Sequence, residues 1–124
     1  MPLNVQIEND IVVLSNFGAT MNDPRYIDAG HDIQNLLEQN HKKFVLDLGG
    51  IRETGSSFLG LLMTITRRIQ RRGGEVVFAH LSRQTEEFLD TMQMEGYWDV
   101  FLTVKEAIAS FPATQDQPSP DEPE

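Results

Sequence analysis

The sequence predicts an α/β domain with a central mixed β-sheet covered by about four α-helices. Three observations carry this expectation. Strand and helix signals alternate in the order strand, strand, helix, strand, helix, strand, helix, short strand, helix. Residues 43–48 (KFVLDL) and 75–79 (EVVFA) form apolar runs that do not alternate with polar residues, as strands buried on both faces do. Between them, Phe58, Leu61, Leu62, Ile65 and Ile69 keep the three-four spacing of one buried helix face.

Each element has a local reason. Val5 and Ile7 alternate with polar residues, and Ile11 to Leu14 form a β-branched run. Glu8, Asn9 and Asp10 between them are turn-prone, so the two runs predict a hairpin. A loop near Phe17 to Asp23 leads to Pro24, which suits a first helical turn behind an Asp23 cap. Tyr26, Ile27, Ile33, Leu36 and Leu37 give the following helix its apolar face, and Gly30 weakens it. The helix carrying Phe58 to Ile69 places Arg67, Arg68, Arg71 and Arg72 on its other side and near its end. Cations there complement the helix dipole, and Gly73-Gly74 stops the helix. After the strand at 75–79, Ser82 reads as the cap of a helix running to Met94, with Thr85 and Glu86 close behind. A short strand at 98–102 follows, and Thr103 caps a last helix ending near Phe111.

The chain has 124 residues, 40% of them hydrophobic and 23% charged, which is the composition of one globular domain. Cysteine is absent, which excludes disulfides, thiolate catalysis and sulfur-ligated zinc. The net charge is -9, so phosphate backbones and anionic membranes are repelled and nucleic-acid binding is not expected. The last thirteen residues, PATQDQPSPDEPE, hold four prolines and four acids with no base. They predict a disordered tail at 112–124 beside a folded domain at 1–111. With that tail set aside, 15 acids face ten bases, a mild charge near -5. The start has no basic segment followed by an apolar run, and no stretch is long enough to span a bilayer. A cytoplasmic protein without membrane insertion is therefore expected.

No enzymatic constellation is legible. His31, His41 and His80 fall in a helix, a loop and a strand end, without the spacing of a metal site. The glycines at 49, 50, 55 and 60 form neither a nucleotide P-loop nor a dinucleotide fingerprint, so no cofactor is expected. The four arginines read as a solvated face or as an anion-binding strip. Asp47, at a strand end, reads as a functional carboxylate or as an acceptor for nearby backbone amides. Thr54-Gly55-Ser56-Ser57 lies between a strand and the strongest helix. A hydroxyl there is an N-cap, or a place where the helix start makes a phosphate electrostatically welcome.

The stretch LDLGGIRETGSSFLGLL, then GGEVVFA, MEGYWDVF and TVKEAIASF, resembles the STAS domain of bacterial anti-sigma factor antagonists, from about Val5 to Phe111. Asp47, Leu48, Gly50, Ser56, Ser57, Leu59 and Gly60 match the family's switch motif. Gly96, Phe101, Val104, Glu106 and Ala107 match its last turn and helix. The resemblance implies a non-enzymatic regulator of transcription. Its partner would be an anti-sigma factor that is a serine kinase of ATPase-kinase type, with a serine phosphatase reversing the modification. Ser56 is the implied phosphorylation site, with Ser57 and Thr54 as alternatives. Thr54, Gly55, Ser56, Ser57, Phe58 and Gly60 are the implied partner surface, supported by Asp47. Gly55 stands where the family usually has aspartate and Phe58 where it has glycine, and SNFGATMNDPRY lacks the usual Gly-x-Leu-Asp, which marks a divergent member. Phe58 reads either as a core residue or as an exposed anchor. The competing functions are a self-associating STAS scaffold subunit of a signalling assembly and a soluble STAS subunit of a transport system.

Overall fold

The computed structural model describes residues 4–17, 27–51, 55–94 and 96–112. The expected Asp23 cap, Pro24 and Tyr26 lie outside these residues, as does the acidic tail from 113 onward. The elements follow the expected order: β1 (Asn4–Glu8), β2 (Ile11–Ser15), α1 (Ile27–Glu38), β3 (Lys43–Asp47), α2 (Ser56–Arg71), β4 (Glu75–Ala79), α3 (Arg83–Thr91), β5 (Val100–Phe101) and α4 (Val104–Ser110).

The strands form one sheet in sequential order, β1-β2-β3-β4-β5. β1 pairs antiparallel with β2, and the other neighbours are parallel, so the sheet is mixed. The hairpin turns on Asn9 and Asp10, both at positive φ (54° and 73°). Two left-handed residues in succession give the tight turn whose twist matches the flanking strands, and Asn and Asp tolerate that conformation best after glycine.

Burial on both sheet faces explains the non-alternating runs. On one face Val12, Leu14, Phe44, Leu46 and Phe78 pack with Ile33 and Leu37 of α1, Leu62, Ile65 and Ile69 of α2, and Leu89 of α3. On the other, Ile11, Val13, Val45, Val77 and Ala79 meet Ala107 of α4 and Phe111 just beyond it. Each central strand therefore contributes to both cores. The parallel β-α-β connections through α1, α2 and α3 lie against the first face, while the shorter α4 serves the second.

Three helices end in the same way. The N–H groups of Asn40, Gly73 and Gln93 bond to the carbonyls of Leu37, Gln70 and Asp90, and those of His41, Gly74 and Met94 bond to Leu36, Ile69 and Leu89. This is the Schellman closure, with Asn40, Gly73 and Gln93 in the left-handed conformation at φ 73°, 80° and 60°. It corrects the expected length of α3, which stops at Thr91 rather than Met94. Glutamine carries no strong stop signal, so the end was invisible in composition, and tertiary packing offsets the roughly 1 kcal/mol of a left-handed non-glycine residue. The N-terminal caps are as expected. Ser82 Oγ accepts the N–H of Thr85 at 3.1 Å, and Thr103 Oγ1 accepts that of Glu106 at 3.0 Å.

Candidate functional site

Parallel strands deliver their carboxyl ends to one edge of the sheet, where α/β folds gather functional groups. Here β3 ends at Asp47 and β4 at Ala79, which are register partners. The chain leaving β3 crosses Gly49 and Gly50, and α2 opens at Ser56, nine residues after Asp47.

Asp47 Oδ1 accepts the N–H of Gly49 at 3.0 Å and sits 3.1 Å from Nδ1 of His80. An ionised carboxylate only accepts, so Nδ1 carries a proton in this pair. The acceptor reading of Asp47 is thus present in the structure, with an imidazole added that sequence reasoning missed. His80 is 33 residues away in the chain and its side chain is 65% exposed. The available signal was topological: in a β-α-β unit the residues following two parallel strands stand side by side.

Gly49 is required by that pair. A Cβ at this position would lie 2.3 Å from Nδ1 of His80. Gly49→Ala is therefore expected to swing the exposed ring away from Asp47 at a cost below about 1 kcal/mol, since surface pairs contribute little. Urea unfolding measures the cost. A shift of the His80 carbon-bound ring proton resonances in NMR spectra reports the broken contact, and unchanged resonances would show the clash relieved elsewhere.

The start of α2 corrects the expectation of a hydroxyl cap. Its N-cap is Gly55, at φ 158° and ψ -170°, which has no side chain with which to cap the helix. Residues with a Cβ rarely adopt that φ, which gives a physical reason for glycine where the family usually has aspartate. Gly55 carbonyl accepts the N–H of Leu59 at 3.0 Å, so Ser56 and Ser57 are the first two helical residues. N–H groups of a first helical turn have no partner within the helix, and α2 has no acidic side chain in that turn.

Ser57 and Gly60 are exposed and, three residues apart, share a face of α2. Thr54 lies outside the described residues. Phe58 is 1% exposed, with its ring centroid 6.0 Å from that of Phe88. The core reading is the one the structure holds, and Phe58 offers no exposed anchor. Arg67, Arg71 and Arg72 are exposed toward the other end of α2 and Arg68 is half-buried, so the arginines are not gathered at the Ser56 end. His31 is exposed and His41 half-buried. Among the described residues, no group of three or more His, Asp or Glu is placed to hold a metal ion, and no helix is long and apolar enough to cross a membrane.

Comparison with known proteins agrees with this architecture. The family model described as "Mlab, STAS domain" matches residues 30–103. No curated protein sequence matches. Among solved structures, an anti-sigma-factor antagonist (STAS) domain protein from Planctomyces limnophilus is similar at a TM-score of 0.71 and 22% identity, over 89% of this chain and 97% of that one. The Bacillus cell fate determinant SpoIIAA, in its phosphorylated form, is similar at a TM-score of 0.60 and 19% identity, over 86% of this chain and 96% of that one.

Proposed function

We propose that this chain, which belongs to the STAS domain family, acts as an anti-sigma factor antagonist: it binds an anti-sigma factor through the start of α2 and is released by phosphorylation of Ser56. It does so as a non-enzymatic regulator of transcription in the cytoplasm. The observation that carries this reading is the construction of the α2 start. A serine pair opens the helix behind a glycine that has no side chain to cap it, and the first turn carries no acidic side chain.

Physical chemistry supplies the switch. A phosphoserine adds about -1.5 to -2 charges at neutral pH. At the start of α2 it meets the positive end of the helix dipole and no acidic neighbour in the first turn, so the domain tolerates it without refolding. A partner surface packed over Ser57 and Gly60 has no such compensation. It loses contact area, must desolvate a phosphate, and releases. A partner of ATPase-kinase type supplies the phosphate and a serine phosphatase removes it. Phe58 contributes from below, by fixing the first turn of α2 on the core.

The test is intact-mass spectrometry of the protein purified from its own host, with fragmentation across residues 52–62. One phosphate on Ser56 in part of the population is the expected result. A phosphate on Ser57 or Thr54 would move the switch to that residue. No phosphate under any growth condition would overturn the switch in favour of constitutive binding, and a large self-assembly in light scattering would then favour the scaffold function.

A further inference from the structure

A second surface lies at the β5 edge and shares no residue with the Ser56 segment. The chain between α3 and β5 leaves a groove of about 340 Å3, with Leu81, Leu89, Met94 and Trp98 among its lining and Glu86 and Asp90 of α3 at its side. This volume is near the lower end of ligand pockets, about 300 Å3, and suits one or two side chains. The groove is built in advance. Trp98 stacks on Phe78 with centroids 4.4 Å apart, and its indole N–H donates to buried Thr66 Oγ1 at 2.9 Å. The Schellman closure after α3 fixes Leu89 and Met94 relative to each other.

Exposed apolar residues adjoin the groove's lining residues in the chain. Val100 lines the groove and is 44% exposed, Leu102 is 79% exposed, and Met92 and Tyr97 are nearly half exposed. Exposed apolar residues clustered around a concavity mark interaction sites far more often than single exposed ones. The backbone is open as well. Asp99 and Phe101 turn their carbonyls to β4, where they accept from Phe78 and His80. Alternation along the ladder then turns the N–H and C=O of Val100 to the outer edge of the sheet, the position a partner strand uses.

Charge selects the occupant. Glu86 and Asp90 flank the groove, Glu87 and Asp99 lie close in the chain, and Arg83 is the one base on α3. A second copy of this chain carries the same acids at the same edge, and its own tail has four acids and no base. Both are repelled. We propose that this groove binds an extended segment of a partner protein that carries an apolar anchor and flanking lysine or arginine residues. The anchor enters between Leu89 and Trp98, and the cations face Glu86 and Asp90.

Trp98 is the only tryptophan, so its fluorescence reports on the groove directly. The experiment titrates the full chain with a synthetic peptide of alternating leucine and lysine, beside a leucine-glutamate peptide of equal length. A saturable change in Trp98 emission with the lysine peptide alone is expected. The Glu86→Gln/Asp90→Asn variant should weaken it about three- to tenfold, as two exposed charge pairs would, and Val100→Glu should abolish it. Ser56→Asp should bind the peptide as the wild type does, so the result stands or falls separately from the phosphorylation switch. Equal affinity for both peptides, an unaffected double variant, or no emission change would each overturn the proposal. Concentration-dependent dimers lost in Val100→Glu would overturn it in favour of a second copy.

Discussion

Ser56→Asp is expected to weaken binding of the anti-sigma factor about 100-fold or more, roughly 2.7 kcal/mol, while leaving the domain as stable as before or slightly more so. The two effects have opposite signs for one reason. An acid in the first turn of α2 interacts favourably with the helix dipole, by about 0.3–1 kcal/mol, and meets no acid there. At the interface the same charge must be desolvated against a surface shaped for a hydroxyl, and an unpaired buried charge costs several kcal/mol. Isothermal titration calorimetry with the purified partner measures the first effect and thermal unfolding the second. Ser56→Ala should keep binding within about threefold of wild type, since it removes one hydroxyl without adding charge. Full-strength binding by Ser56→Asp would remove Ser56 as the switch.

Phe58→Ala is expected to cost about 3–5 kcal/mol of stability, a large share of the 5–15 kcal/mol typical of a domain. The side chain is 1% exposed and lies in the larger core beside Phe88, with Leu62 and Leu61 following on the same helix face. Removing its ring leaves a cavity at the first turn of α2, beside Phe88. Urea unfolding should show a lower midpoint with an unchanged slope. A loss below 1 kcal/mol would mean that the ring is exposed in solution, which would restore its role as an anchor. Partner binding by the folded fraction should also weaken, because Ser57 and Gly60 are positioned by the turn that Phe58 secures.

Much of the fold was legible because its signals are local. The three-four spacing from Phe58 to Ile69 reappears as the buried face of α2, and the two non-alternating runs reappear as strands between two cores. The turn at Asn9-Asp10 and the caps at Ser82 and Thr103 depend only on side chains within three residues. The resemblance of LDLGGIRETGSSFLGLL to the STAS switch motif gave the family, which the match over residues 30–103 shows.

What failed was less local. A serine next to a helix start was expected to cap it, yet Gly55 takes that place, because the backbone there adopts a φ that glycine best accepts. The end of α3 was placed three residues late because Gln93 closes it in a conformation that composition does not announce.

By itself the sequence determined the element order, the buried helix faces, the hairpin and the acidic, cysteine-free character of the chain. Each of these follows from contacts between near neighbours or from composition. The tertiary structure alone decided that Asp47 meets His80 across 33 residues, that the Trp98 indole bonds Thr66 across 32, and that the Phe58 ring lies against that of Phe88. It also decided that α3 and the β5 edge together line an open, acidic-sided apolar groove. Such pairings depend on which strands lie side by side and in what register. That choice is made by burying two sheet faces at once, and no local window of the sequence contains it.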